Sequence, residues 1–167
     1  MKYVHYFSYG SNMSIKRLLD RVPSAKKVDV GVLEKHELKF HKISKKDGSA
    51  KCDAYETGNP EHKLYGVVFH ISENEKPELD KKEGLGYGYE QKYVKILLNN
   101  GATIDAFTYY ATNVNAALKP LDWYKEHVLR GSMENELPIE HIRSIENIEH
   151  VEDPDTERRN RELSIYR

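Results

Sequence analysis

Much that would assign this chain to a class at sight is missing from it. There is one cysteine, Cys52, in 167 residues, which excludes an intramolecular disulfide and makes a reducing compartment the expectation. No apolar run approaches the ~20 residues of a bilayer span, and no basic-then-apolar segment opens the chain. The expectation is a soluble, cytoplasmic protein with no membrane partner. An excess of charge is also missing: 26 basic against 27 acidic side chains leave a formal charge of -1, which gives no reason to expect nucleic acid as a partner. The eight histidines form no His-Glu-x-x-His pattern, and neither His36 with His41 nor His141 with His150 sets two ligands on one face with a third in reach. No metal site is expected. Ser11 lacks the second glycine of a nucleophile elbow, which argues against a serine hydrolase. The run Gly84-Leu85-Gly86-Tyr87-Gly88 follows a helical pattern and has no phosphate-loop lysine, so it reads as a flexible wall and no nucleotide cofactor is expected.

What is present begins with tyrosine, twelve of them against four phenylalanines. Tyrosine brings an apolar ring with a hydroxyl that needs a partner, so this bias predicts semi-polar walls. The chain is organised around Tyr6-Phe7-Ser8-Tyr9-Gly10-Ser11-Asn12-Met13, an apolar strand that passes through a Gly-Ser-Asn turn into a helix. Such a corner presents backbone N–H groups together and favours an anion; turn geometry and capping alone would also account for its residues.

Residues 3–8 read as a buried first strand, and a helix from about Ser14 stops before Pro23. Residues 28–40 alternate in part and suggest strand, in one reading a single long strand bent at Gly31. The lysine-rich stretch 41–51 reads as a loop with a solvated face. Residues 50–56 are a short strand and 64–71 a central one. Ser72 with Glu75 three residues on is the capping-box pattern, and the helix it opens ends at Gly84. Residues 92–98 and 102–111 form a hairpin about Asn99-Asn100-Gly101. A helix follows Pro120 with Gly131 as its stop, and a last helix from Pro138 carries isoleucines at intervals of three. Residues 1–153 form one domain and 154–167 a charged tail expected to fray or to dock on a neighbour. Strands interrupted by helices predict an α+β domain with a mixed or antiparallel sheet, curled into a small barrel in one arrangement.

Glu83 is the carboxylate to single out. It falls at the C-terminal end of its helix, where the dipole disfavours negative charge, beside a tyrosine- and glycine-rich loop. That is a setting for a general acid/base; a solvated glutamate beside Lys81 and Lys82 is the plainer reading. Cys52, in a predicted strand without a histidine nearby in sequence, reads as a packed or surface thiol.

These pieces stand in a known order. Tyr6 to Met13 as quoted, Leu64-Tyr65-Gly66-Val67-Val68-Phe69, Leu79-Asp80-Lys81-Lys82-Glu83-Gly84, Tyr109-Tyr110-Ala111-Thr112-Asn113, and Trp123-Tyr124-Lys125 followed by Gly131 and Leu137-Pro138 together resemble the gamma-glutamylcyclotransferase family and its AIG2-like relatives, over roughly residues 3–150. The resemblance implies a small mixed β-barrel flanked by helices with the site at one end. It implies that Tyr9, Gly10, Ser11, Asn12 and Met13 bind a gamma-glutamyl group largely through backbone atoms, that Glu83 is the general acid/base, and that Tyr89, Tyr109 and Tyr124 are wall residues; in the loop, Tyr87 or Tyr93 could take the place of Tyr89. The implied reaction releases 5-oxoproline and the amine that had been attached to the gamma-carboxyl, without a cofactor. Family members are often homodimers, so a homodimer is the assembly to test. The loop 85–89 departs from the family's glutathione-pathway enzymes, which leaves the identity of that amine open. A module that binds a gamma-glutamyl-like ligand without turning it over is the alternative.

Overall fold

The computed structural model describes residues 2–167. Seven strands and five helices follow one another as β1 (Tyr3–Ser8), α1 (Ile15–Arg21), β2 (Lys26–Glu34), β3 (His36–Ile43), β4 (Ala50–Glu56), β5 (Lys63–Ser72), α2 (Lys76–Glu83), β6 (Tyr89–Leu98), β7 (Thr103–Ala111), α3 (Asp122–Glu134), α4 (Ile139–Glu146) and α5 (Thr156–Leu163). Five strands close into a barrel in the order β1-β5-β2-β6-β7, and β3 pairs with β4 as a separate two-stranded sheet. Every pairing is antiparallel except the one that closes the barrel, where β1 runs parallel to β7 at Tyr6 and Phe107. The architecture is the expected α+β one, a small mixed barrel flanked by helices. No helix among the described residues is long and apolar enough to cross a membrane.

The most apolar run, β5, lies between β1 and β2. Burial of Phe7, Leu64, Phe69, Ile71, Ile96 and Phe107, each at most 1% exposed, supplies the barrel's core, at roughly 1.5–3 kcal/mol for each large apolar side chain. Gly31 does not bend a single long strand. A Cβ there would lie 2.4 Å from Ile96 Cγ2, so glycine lets β2 and β6 approach. The chain breaks instead at Lys35, whose φ of 66° turns β2 into β3.

Two helical boundaries differ from expectation for identifiable reasons. Ser72 sits at the N-cap of a short 3₁₀ turn (Glu73–Glu75) but makes no side-chain cap. The Glu75 carboxylate that would complete a capping box accepts hydrogen bonds from Ser24 N–H and Oγ–H instead, and Ser24 Oγ accepts from Ser72 N–H. Gly131 does not stop α3, which runs through it to Glu134. The charged segment after Pro154 is also ordered. Asp155 caps α5 by accepting from Arg158 N–H, Arg158 grips Asp153 through two contacts of 2.6 Å, and Arg159 reaches Asp122 at 2.6 Å. Arg17 meets Glu162 at 2.8 Å, and the Tyr166 hydroxyl lies 2.5 Å from His127 Nδ1 and donates to Ser14 Oγ at 3.1 Å. The tail therefore docks on α1 and α3 of its own chain.

Candidate active site

The corner after β1 is a single 3₁₀ turn (Ser11–Met13) in which Met13 N–H bonds to Gly10 C=O and Ser14 N–H to Ser11 C=O. The first N–H groups of such a turn have no intrahelical acceptor, and among the described residues those of Ser11 and Asn12 find none elsewhere. The turn is held from below. Met13 is fully buried and packs where α3 passes closest: a Cβ on Gly131 would stand 2.6 Å from Met13 Cβ and 2.7 Å from Ser14 N. Asn135 Nδ2 donates to Met13 C=O at 3.1 Å. The Met13 side chain is spent anchoring the turn, so Met13 has only backbone to offer the site.

α2 brings Glu83 to the same place although the helix is almost wholly polar. Leu79 is its one buried residue, and Asp80 accepts from the Tyr109 hydroxyl at 2.5 Å and from Lys76 at 2.9 Å. Glu83 lies four residues after Leu79 and three after Asp80, hence on the face those two turn inward. The helix ends one residue later, where Gly84 takes the left-handed conformation at φ 79° and donates to Asp80 and Lys81 carbonyls. Seventy-one residues apart in sequence, Asn12 Nδ2 donates to Glu83 Oε1 and also, at 3.2 Å, to the Tyr6 hydroxyl. Asn12 is 3% exposed and its Oδ1 has no partner.

A small chamber of about 30 Å³ is bounded by Tyr6, Tyr9, Gly10, Ser11, Asn12, Cys52, Glu83, Tyr89, Tyr109 and Tyr124. Of the nine residues expected at the site, eight line this chamber, and Met13 sits directly beneath the turn that forms part of its wall. Of the loop tyrosines, Tyr89 is the one that faces inward at 6% exposure, whereas Tyr87 and Tyr93 are more than 70% exposed. Tyr6 lies outside the residues expected at the site. Its place in a buried strand conceals it, and its alternation with Phe7 and the polar Ser8 on its own face is the sequence signal that marks it.

The hydroxyls sort by their commitments. Tyr9 donates to Tyr109 C=O at 2.6 Å and Tyr89 to Cys52 C=O at 2.5 Å, while Tyr124 accepts from Cys52 N–H at 2.9 Å. Tyr6 accepts from Asn12 and donates to no protein acceptor among the described residues. Burial raises the pKa of all five, helped at Tyr6 by the charge of Glu83 and at Tyr109 by Tyr6 and by its bond to Asp80. They are neutral phenols at physiological pH. Burial also pushes the Cys52 thiol up to about 12, so it is no nucleophile. Among the described residues no group of three or more His, Cys, Asp or Glu side chains is placed to hold a metal ion. The site therefore offers one carboxylate, a set of neutral hydrogen-bond donors, and two free backbone N–H groups.

Comparison with known proteins follows the same lines. The model of the AIG2-like family matches residues 63–157. Gamma-glutamylcyclotransferases of Bos taurus and Homo sapiens are each 31% identical over 147 residues, covering 86% of this chain and 78% of the relative. A solved gamma-glutamyl cyclotransferase superposes with a TM-score of 0.84 at 27% identity, covering 92% of both chains. A human protein described as uncharacterized superposes with a TM-score of 0.84 at 26% identity over the full length of both. This chain belongs to the AIG2-like family of gamma-glutamylcyclotransferase-like enzymes.

Proposed function

We propose that this protein converts a gamma-glutamyl amino acid or gamma-glutamyl amine to 5-oxoproline and the free amine. The observation that carries this reading is the meeting of Glu83 with Asn12 of the turn inside a tyrosine-walled chamber. It brings a carboxylate and neutral hydrogen-bond donors to the wall of one small space.

The substrate contains its own nucleophile. Its alpha-nitrogen attacks the gamma-carbonyl carbon, a five-membered ring closes, and the original amide C–N bond breaks. Holding amine and carbonyl in near-attack geometry is worth ~7–11 kcal/mol when alignment is good. What remains is proton movement: Glu83 takes a proton from the alpha-ammonium and returns one to the departing nitrogen, a role worth about 10²- to 10⁴-fold. The Ser11 and Asn12 N–H groups and the Tyr6 hydroxyl are the donors suited to the substrate carboxylate or the developing oxyanion. Asn12 Oδ1, unpaired as the site stands, suits a substrate N–H. The chamber adjoins a larger cleft across Ser11, Glu83, Tyr89 and Tyr124, which leaves room for the rest of the substrate outside it. Residues 1–153 would be the catalytic unit, with 154–167 its brace.

The test is 5-oxoproline release, read by mass spectrometry, from a panel of gamma-glutamyl compounds. Release by the wild type and its loss in Glu83→Gln is expected; saturable binding without product would instead make this a binding module. A cytoplasmic location fits a single buried thiol, and fractionation with a tagged chain checks it. Homodimerisation is read by light scattering.

A further inference from the structure

Outside the chamber, on the side where Glu83, Tyr89 and Tyr124 form the shared wall, lies a cleft of about 400 Å³. Two arginines of α1, four lysines of the β3–β4 hairpin and two lysines of α2 line it, against Glu78, Glu83 and Glu162. That is five positive charges in excess in a chain whose formal total is -1, so composition alone does not produce it. The lysine-rich stretch is not simply a solvated face: Lys42 is 7% exposed.

Most of these cations lack an acid among the described residues. Arg17 is matched by Glu162 at 2.8 Å and Lys51 more loosely by Asp47 at 3.6 Å. Lys42 has no carboxylate within ion-pair distance; its ammonium rests 4.7 Å from the centre of the Tyr89 ring. Arg21 forms no ion pair, and Nε of both Arg17 and Arg21 is buried without a hydrogen-bond partner. Lys45, Lys46, Lys81 and Lys82 are exposed, but Lys42 and the Arg21 Nε are buried without an acid; such groups are costly to a fold, and together on one cleft they point to an anion supplied from outside. Glu83 lines both the chamber and this cleft, so an anion held here lies beside the reacting bond. In the cyclisation reading, on which this inference rests, that position belongs to the leaving group.

We propose that the amine released by this enzyme carries at least two negative charges, as carboxylate or phosphate, and that the cleft around Lys42, Lys45, Lys46 and Arg21 selects substrates by that charge. An amino acid with one alpha-carboxylate would leave most of this cation set unmatched.

The experiment compares pairs that differ by charge and little else: gamma-glutamyl-glutamate against gamma-glutamyl-glutamine, and gamma-glutamyl-phosphoserine against gamma-glutamyl-serine. At least a 10-fold preference in kcat/KM for one anionic member is expected, weakening as salt is raised, and the pair that shows it identifies the anion. In Lys42→Met, and in the double variant Lys45→Gln with Lys46→Gln, the preference falls toward 1. Glutamine and serine compounds turned over as well as the glutamate and phosphoserine ones, or a preference untouched by either variant, would overturn the proposal. Calorimetry on Glu83→Gln with the same four compounds reads the preference without turnover. If no compound yields 5-oxoproline, the cyclisation reading fails while the charge preference is still scored by binding.

Discussion

Gly131→Ala tests whether the binding turn is held where it is by the passage of α3. The added Cβ would lie 2.6 Å from Met13 Cβ, 2.7 Å from Ser14 N and 2.8 Å from Met13 C. Ordinary contact begins near 3.4 Å, so backbone and side chain must separate by about 0.8 Å, the difference between those two distances. Two effects oppose. Alanine is favoured over glycine inside a helix by about 1 kcal/mol, whereas forcing a methyl into a packed contact costs about 1–3 kcal/mol. The second prevails because two of the three atoms met are backbone and cannot rotate away. A net loss of up to about 2 kcal/mol lowers the melting temperature by up to about 8 °C in a chain of this size. Activity suffers more than stability, since a displacement of about 1 Å in a reacting geometry costs on the order of 10²-fold, and the turn that moves carries Ser11 and Asn12. Thermal melting beside kcat/KM for 5-oxoproline release gives both numbers. A variant at least as stable as wild type with undiminished kcat/KM would refute the reasoning.

Three further outcomes are expected. Tyr6→Phe removes a hydroxyl whose proton has no protein acceptor and should lower kcat/KM about 10- to 100-fold with little change in melting temperature, as for one hydrogen bond to a charged group. Tyr9→Phe strands the Tyr109 carbonyl and should act mainly on stability, by about 1–3 kcal/mol; equal effects of the two on both readouts would contradict this sorting. Burial raises Glu162, but hydrogen bonding from His127 and the charge of Arg17 outweigh it and hold the carboxyl at about 2, below its usual 4.5. Its contribution is present above pH 4.5 and lost as pH falls toward 2. Burial holds His127 below its usual 6.5, so protonating this base also opposes folding as pH falls. Glu162→Gln should therefore melt a few degrees lower than wild type at pH 7 and approach it near pH 3; a gap that does not narrow would break the argument. Cys52, raised to about 12 by burial, should resist a thiol reagent at pH 8 in the folded protein and react fully once unfolded; rapid labelling of the native chain would place the thiol at the surface.

The parts of the fold legible in the sequence are those written in local patterns. β1 and β4 occupy the residues that composition and alternation indicate, and the Asn99-Asn100-Gly101 turn joins β6 to β7 with Gly101 at φ 90°. What escaped depends on partners distant in sequence. Lys35 breaks the strand run although nothing in its type requires a left-handed conformation, and Gly131 looks like a helix stop until Met13 is seen beneath it. Ser72 and Glu75 form a capping box on paper, but Ser24, some fifty residues earlier, takes the carboxylate. The same limit applies to the site. Resemblance to a family named eight residues that converge. It did not name Tyr6, whose hydroxyl enters the site only because the barrel closes β1 against β7 and α2 ends beside Asn12. Nor could the docking of the tail be read, since its pairings with Asp122, His127, Arg17 and Ser14 reach back 37 to 152 residues along the chain.

The central claim is that Glu83 moves the proton in an intramolecular cyclisation, and the most direct measurement is single-turnover release of 5-oxoproline by wild type and Glu83→Gln with gamma-glutamyl-alanine and gamma-glutamyl-glutamate. Product from the wild type and a loss of at least about 10²-fold in the variant are expected, with circular dichroism and melting showing the fold intact. Glu83→Gln releasing 5-oxoproline at the wild-type rate would contradict the claim.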